Sequence, residues 1–285
     1  MYNGYIKNLV LAVGVALATP VFSQYVDGGL ILGGSLYEGD LAPNSIGDKL
    51  GTIRPLGGLF FRKSFDQHWA ARISVQYGTI MGNDATDQRP RNLSFRSGVT
   101  EIAATVEFSF PGYDPDIGMR FSPYGFIGIA YFNYNPTTEF QGQRVELQPL
   151  GTEGQGLADY NQDLYRLNQF SIPFGGGIKY SVNPSLNIGI ELGPRVTFTD
   201  YLDDVSSTYA SYRDLAENRN VLAAEVADRS VELTGGDPQE RRGEIRGNPN
   251  RNDWYLFTNI TISYNFYDLL GGGFGGGKRR GCPVY

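Results

Sequence analysis

The sequence has little of the chemistry that enzymes and metal sites use. It contains one histidine, His68, and one cysteine, Cys282. Zinc sites typically combine several histidine and cysteine ligands, and a single cysteine cannot form an internal disulfide. Barrel hydrolases place a histidine base near the outer rim, whereas His68 precedes a strand-like segment beside a short turn. We therefore expect no catalytic residue, no metal and no cofactor.

Long apolar runs are also missing. The longest near the start, residues 9–18, follows Lys7 and is too short to cross a bilayer as a helix. Small residues follow at Thr19 and Ser23, which is the pattern of an export signal. We predict that residues 1–23 are removed by cleavage near Ser23. No cysteine lies beside that site, so the new N-terminus offers no thiol for a lipid.

Basic residues are too few for nucleic-acid binding. The net charge is −6, and a protein that neutralises phosphates needs a basic face. The one local basic cluster is Lys278, Arg279 and Arg280. The sequence is instead rich in glycine and aromatic residues, with 38 Gly, 19 Tyr and 17 Phe. Together with a mean hydropathy of −0.28, this composition is typical of barrels that face lipid outside and a polar lumen inside.

Alternation of apolar and polar residues is the main structural signal. It is clear in residues 69–78, 101–110, 170–180, 186–193 and 254–266, and each segment is long enough to cross a membrane as a strand. Residues 25–37, 55–65 and 122–134 are strand-like, but their apolar residues fall on both faces. The sequence therefore predicts about eight strands.

The connections between these segments alternate in length. Residues 64–67 and 181–184 are tight, residues 111–121 are intermediate, and residues 38–51, 82–97, 135–168 and 199–252 are long. The pattern predicts an all-β fold, an eight-stranded antiparallel up-and-down transmembrane β-barrel of OmpA-like size over residues 24–266, with long surface loops. A β-sandwich is the alternative. Residues 213–233 lack Pro and Gly, which favours a short helix in the last loop. Residues 267–285 are a Gly-rich, basic tail, expected in the periplasm.

Charged residues of both signs fall on the predicted inner face. An eight-stranded barrel is just wide enough for its side chains to fill it. We expect a paired polar core that plugs the lumen, with small-solute transport as the weaker alternative. The expected lumen residues are Arg72, Glu101, Glu107, Lys179, Glu191 and Arg195.

Two loop features resemble ligand sites only in part. Asp200, Asp203 and Asp204 bracket a turn and could hold Ca²⁺, but they lack the spacing of a defined calcium loop. The preferred interpretation is a solvated loop base. Gly151 and Gly154 lie in a Gly-rich segment that lacks the Lys-Ser/Thr pair of a phosphate-binding loop. We expect a turn-rich loop packed over the rim.

Cys282 is the least ordinary residue of the tail. An odd cysteine in an exported protein suggests an intermolecular disulfide or a reactive thiol. We favour a disulfide with a partner protein, and a disulfide-linked homodimer and an idle thiol remain the alternatives.

Several segments carry a more specific signal. They are RNLSFRS at residues 91–97, LQPLGTEGQG at 147–156, SIPFGGGIKY at 171–180, FTDYLDDVSSTY at 198–209, GNPNRNDWY at 247–255 and the terminal Cys282-Pro283. In these segments the chain resembles PorG-like proteins, the outer-membrane barrels of the type IX secretion and gliding machinery of Bacteroidetes. The loop motif that we single out comprises Leu147, Gln148, Pro149, Gly151, Glu153, Gly154, Asp200, Asp203 and Asp204.

The resemblance implies a non-enzymatic barrel in the outer membrane that anchors or positions the periplasmic ring complex of this machinery. It implies a PorK-like lipoprotein and a PorN-like ring protein as partners, beside outer-membrane lipids, and no small-molecule substrate. A small filled barrel cannot itself pass folded proteins, which agrees with an anchoring role. The alternative is a passive structural or adhesive barrel.

Overall fold

The computed structural model describes residues 25–115 and 118–266. Within them, eight long strands form a closed antiparallel barrel, which confirms the predicted fold class. The order around the barrel is β4-β3-β2-β1-β9-β8-β7-β5, and β4 pairs with β5 to close it. A short strand, β6, pairs with the outer end of β5. The strands are β1 (Tyr25–Glu38), β2 (Arg54–Ser64), β3 (Trp69–Asn83), β4 (Ser94–Ser109), β5 (Phe121–Phe140), β6 (Gln143–Glu146), β7 (Asn168–Ser181), β8 (Leu186–Thr197) and β9 (Trp254–Asn265).

Each barrel strand turns alternate residues inward, as the period of two requires. In β3, Arg72 and Gln76 are buried, while Ile73, Val75 and Tyr77 are exposed on the outer wall. The outer wall is apolar and the interior is polar along most of its length. This inversion of the usual globular pattern is the signature of a barrel surrounded by lipid.

The tight connections lie together at one rim, which we call the inner rim. Both are Asx-type turns, in which a side-chain oxygen replaces a backbone acceptor. Asp66 Oδ1 accepts hydrogen bonds from the Trp69 and His68 amides at 2.7 Å. Asn183 Oδ1 accepts from the Leu186 amide at 2.9 Å. The four long loops lie at the opposite rim, the outer rim.

Strand β5 runs further than the sequence pattern predicts. It continues through Pro136 to Phe140 and forms a hairpin with β6. Along this edge of β5, pairing with β7 ends at Asn133 and pairing with β6 begins at Thr137. The nitrogen of Pro136 faces the unpaired stretch between them, so the missing N–H costs no hydrogen bond of the sheet. The Pro136 carbonyl, on the same side, accepts from the Leu147 amide at 2.9 Å.

Helices occur only in loops among the described residues. The first long loop contains α1 (Ile46–Gly51), and the last contains α2 (Tyr212–Asn218), α3 (Val221–Ala227) and α4 (Val231–Thr234). The prediction of one short helix over residues 213–233 is therefore wrong in number. The break comes from caps: Ser211 accepts from the Asp214 amide and starts α2, and Asn220 accepts from the Ala223 amide and starts α3.

Candidate functional site: the filled lumen and its cap

The inner half of the lumen is filled by one ion-pair network. At its centre is Glu107, whose side chain is fully buried. Its carboxylate lies 3.0 Å from Arg62 Nε, 3.3 Å from Arg72 Nε and 3.8 Å from Lys179 Nζ. Arg62 also contacts Asp27 at 3.1 Å. These groups lie on five strands, so the network ties opposite walls of the barrel together.

A second group of contacts lies further toward the outer rim. Arg72 Nη1 reaches Glu191 at 2.5 Å, and Arg195 Nη2 reaches Glu101 at 3.1 Å. The Tyr255 hydroxyl donates to the other Glu101 oxygen at 2.7 Å. The six charged residues predicted for the lumen thus all lie inside the barrel, and each is ion-paired.

The lumen is electrically balanced. Among the described barrel strands, the buried cations are Arg62, Arg72, Lys179 and Arg195, and the buried carboxylates are Asp27, Glu101, Glu107 and Glu191. Balance matters because a buried ion without a partner costs several kcal/mol in desolvation. A cavity of about 10 Å³ lies near the inner rim and is lined in part by Asp27, Arg62 and Lys179.

An aromatic layer lies above the ionic network, toward the outer rim. It contains the buried rings of Tyr37, Phe95, Phe132, Tyr255 and Phe257. Loop residues cover it from outside, and these also belong to the same core: Leu147, Leu150, Tyr165, Leu202, Val205, Ala223 and Val226. We call the third and fourth long loops (residues 147–167 and 198–253) the cap, because they close the outer mouth.

Arg246 fixes the two cap loops to each other. Its guanidinium is buried, 3.0 Å from Glu153 Oε1 and 3.7 Å from Asp204 Oδ2. Glu153 also accepts hydrogen bonds from the Ser206 and Ser207 amides at 2.9 and 3.0 Å. Asp204 further accepts from the Tyr165 hydroxyl at 2.7 Å and from Thr152 Oγ1 at 2.6 Å.

Asp203 fixes the last loop to the barrel wall through Tyr37. The Tyr37 hydroxyl oxygen lies 2.6 Å from Asp203 Oδ2 and 3.0 Å from Asp253 Oδ1. A hydroxyl has one proton to donate, so the two carboxylates share the single Tyr37 donor. Burial raises the pKa of both Asp203 and Asp253, and repulsion from Asp203 raises that of Asp253 further.

The interpretation of Asp200, Asp203 and Asp204 as a solvated loop base is wrong. All three are buried in the cap. Burial raises the pKa of Asp200 to about 7 and that of Asp204 to about 6. They do not form a calcium site: among residues 25–115 and 118–266, no cluster of three or more His, Cys, Asp or Glu side chains is placed to hold a metal ion.

The remaining motif residues shape a turn within the cap. Gln148 Nε2 donates to the Tyr165 carbonyl at 2.9 Å, and Pro149 follows in the 3-10 helix Gln148–Leu150. Gly151 and Gly154 have φ of 57° and 86°. At Gly154 a side chain would also overlap the ring of Tyr160. Glycine is therefore required here by the fold of the loop.

An open polar cleft of about 370 Å³ lies at the outer rim between the first two long loops. The cations that line it are already ion-paired. Lys49 contacts Glu38 at 2.5 Å, and Arg89 and Arg91 share Asp84 at 3.4 and 2.7 Å. These pairs stabilise the loops around the cleft.

The predicted tail features, Cys282 and the basic cluster, lie outside the described residues. The cluster comprises Lys278, Arg279 and Arg280. His68 lies at the inner rim, where Nδ1 is 2.8 Å from the Ser109 carbonyl and the ring stacks on Phe108. In the described part of the chain, no helix is long and apolar enough to cross a membrane.

Sequence reasoning missed several network residues. Asp27 and Arg62 were overlooked because their segments carry apolar residues on both faces, so the inner face could not be assigned. Arg246 was overlooked because it lies in a polar loop with other arginines.

Three solved structures are similar to this chain at low identity. They are the attachment invasion locus protein Ail of Yersinia pestis (11% identity, 85% of this chain and 99% of that chain, TM-score 0.37), the N-terminal β-barrel domain of Pseudomonas aeruginosa OprF (12%, 86% and 99%, 0.36), and Neisserial surface protein A, NspA (8%, 85% and 97%, 0.38).

Among curated proteins, the sequence has no significant match. A family model described as "Domain of unknown function (DUF6089)" matches residues 6–221, which include most of the predicted signal peptide, β1 to β8 and the first part of the cap. The chain therefore belongs to the DUF6089 family.

Proposed function

We propose that this protein is a sealed β-barrel of the outer membrane that anchors or positions the periplasmic ring complex of a type IX secretion and gliding machinery. The single observation that carries the proposal is the filled lumen. Four cations balanced by four carboxylates, together with an aromatic layer, occupy the barrel, and the cap covers its outer mouth. A barrel built in this way serves through its surfaces and not through its bore.

The outer wall supports the membrane location. Its exposed side chains form an apolar belt, which is bordered by aromatic residues at both rims. Trp69, Phe110 and Tyr180 lie near the inner rim, and Tyr77 and Trp254 lie toward the outer rim. From Trp69 to Tyr77 the strand rises about 27 Å, or roughly 20 Å in height once tilted, close to the belt expected of an outer-membrane barrel.

Partner contact is the part of the proposal that rests on the resemblance. The chain resembles PorG-like proteins in segments that build the cap, among them Glu153 and Asp204, which share Arg246. Strand β9 ends at the inner rim, the expected periplasmic side, with the tail following it. We infer that Cys282 and the basic cluster Lys278 to Arg280 contact a PorK-like lipoprotein or a PorN-like ring protein there.

The decisive experiment combines gene deletion with complementation. Deletion should abolish secretion of cargo and gliding, and the wild-type gene should restore both. The test variant is Cys282→Ser. The variant and the wild type are purified in parallel under non-reducing conditions. We expect a reducible adduct with a periplasmic partner that is lost in the variant.

Each outcome is informative. Unchanged secretion and gliding after deletion would refute the anchoring role and leave a passive structural or adhesive barrel. Lost secretion without any adduct would keep the anchoring role and remove Cys282 from it. A steady single-channel conductance of the purified protein in planar bilayers would contradict the sealed lumen itself.

A further inference from the structure

Helix α1, in the first long loop, has two large apolar side chains that are exposed and that no other part of the described chain buries. Ile46 is 79% exposed and Leu50 is 61% exposed. They are four residues apart and therefore lie on the same face of the helix. Within α1 no residue is buried. Two large apolar side chains that are exposed on one face of a helix indicate a surface that meets an apolar phase.

The position of α1 identifies that phase. Ile53, just after the helix, packs against the outward-facing side of Gly34 in β1. Its Cγ2 atom lies 2.5 Å from where a Cβ atom on Gly34 would be. Lys49 contacts Glu38 at the outer end of the same strand. Glu38 pairs in register with Trp254 of β9, whose ring is partly exposed on the outer wall. Helix α1 thus stands beside the wall at the level of the outer aromatic border.

Charged groups of both signs lie beside α1. Lys49 Nζ contacts Glu38 Oε2 at 2.5 Å and Arg251 Nη2 contacts Glu38 Oε1 at 3.3 Å. The Arg251 side chain is largely exposed, and α1 also carries Asp48, which is exposed. Such groups belong in a hydrated headgroup layer, because burying them in hydrocarbon costs desolvation.

We propose that α1 is an interfacial anchor: Ile46 and Leu50 insert into the outer lipid leaflet, while Asp48 and Lys49 stay at the level of the headgroups. The inference rests on the proposed membrane location of the barrel. Short amphipathic segments of this kind bind by burying apolar side chains at the headgroup boundary. The anchor would fix the height and rotation of the first loop relative to the membrane.

The test uses fluorescent labels at single cysteines in the full chain carrying Cys282→Ser. Leu50→Cys reports on α1, and Ile190→Cys reports on the middle of the apolar belt. Ile245→Cys is the matched control, because Ile245 is 80% exposed and is followed by Arg246, which is buried in the cap. Each labelled protein is placed in vesicles of phosphatidylcholine and phosphatidylglycerol and quenched with aqueous iodide, or with lipids that carry a nitroxide at the headgroup or deep in the chain.

At position 50 we expect strong quenching by the headgroup nitroxide and several-fold weaker quenching by iodide than at position 245. If positions 50 and 245 are equally open to iodide while position 190 is quenched by the deep nitroxide, the anchor is refuted and the membrane location stands. If position 190 is also open to iodide, the membrane location fails.

Discussion

Removing the charge of Glu107 should be the most damaging single change in the barrel interior. Glu107 contacts three cations, Arg62, Arg72 and Lys179, between 3.0 and 3.8 Å. In the wild type these three cations face three carboxylates, Asp27, Glu107 and Glu191. The Glu107→Gln variant keeps the shape of the side chain but leaves three cations against two carboxylates in a closed space.

The size of the effect follows from burial. Breaking a buried ion pair by removing one partner costs about 3–5 kcal/mol, because the remaining charge stays desolvated. Lys179, at 3.8 Å, is the most weakly held of the three cations. Adding Lys179→Met to the variant leaves two cations, Arg62 and Arg72, against two carboxylates, Asp27 and Glu191. We expect this balance to recover about 1–3 kcal/mol of the lost stability.

Urea unfolding in lipid vesicles measures both variants. Trp69 and Trp254 lie on the outer wall near opposite rims, so their fluorescence reports loss of lipid contact at both ends. Glu217→Gln is the control, since Glu217 pairs with Arg213 on the exposed face of α2 and should leave stability unchanged. A loss below about 1 kcal/mol for Glu107→Gln would refute the reasoning, since it would mean that water screens the lumen charges.

Three further changes test the cap and the wall. Arg246→Met leaves buried Glu153 without its ion-pair partner and should lower the free energy of cap opening, measured by amide exchange, by about 3 kcal/mol. Arg242→Met removes a more exposed pair and should leave that free energy unchanged. Equal exchange in the two variants would contradict the role of Arg246. Burial raises the pKa of Asp200 to about 7, so this group binds more protons in the folded cap than in the unfolded chain. Its contribution to stability should fall as pH rises from about 4 to about 7, then level off. Asp200→Asn should shrink this fall in amide exchange, and an unchanged profile would exclude Asp200 as its source. Gly33→Ala would place a Cβ against the backbone of β9, while at Gly57 the nearest atom is 3.9 Å away; only Gly33→Ala should reduce the folded form on unheated gels, and equal folding of the two would contradict the tight β1–β9 seam.

The charged residues inside the barrel could be identified from sequence where the strand had one apolar face. Arg72, Glu107 and Glu191 each lie between outward apolar residues, so alternation alone placed them inward. Their partners could not be predicted, because pairing across the lumen depends on how the sheet closes. In β2 the pattern failed for a physical reason. Phe60 faces inward, where its ring packs under the Arg62 guanidinium at 4.9 Å, so an apolar residue occupies a lumen position.

The cap was the least predictable part. Its sequence contains acidic residues, arginines and glycines of the kind that usually lie in solvent. Asp203 is buried because Tyr37, on a barrel strand, reaches it from 166 residues away in the sequence. Nothing local distinguishes Arg246, which is buried, from Arg242, which is exposed. Such contacts depend on how the loops fold over the barrel. No regular spacing of apolar and polar residues in the sequence predicts them.

The two layers inside the barrel also argue against a channel that a ligand could open. A path through the inner layer would have to break contacts on both Glu107 and Glu191, at about 3–5 kcal/mol for each buried pair lost. The aromatic layer and the cap would then still block the outer half. A ligand that shifts a two-state equilibrium from about 1:99 to 99:1 supplies roughly 5.5 kcal/mol of differential binding. The inner layer alone would demand as much or more, so gating would require a partner that dismantles both layers at once.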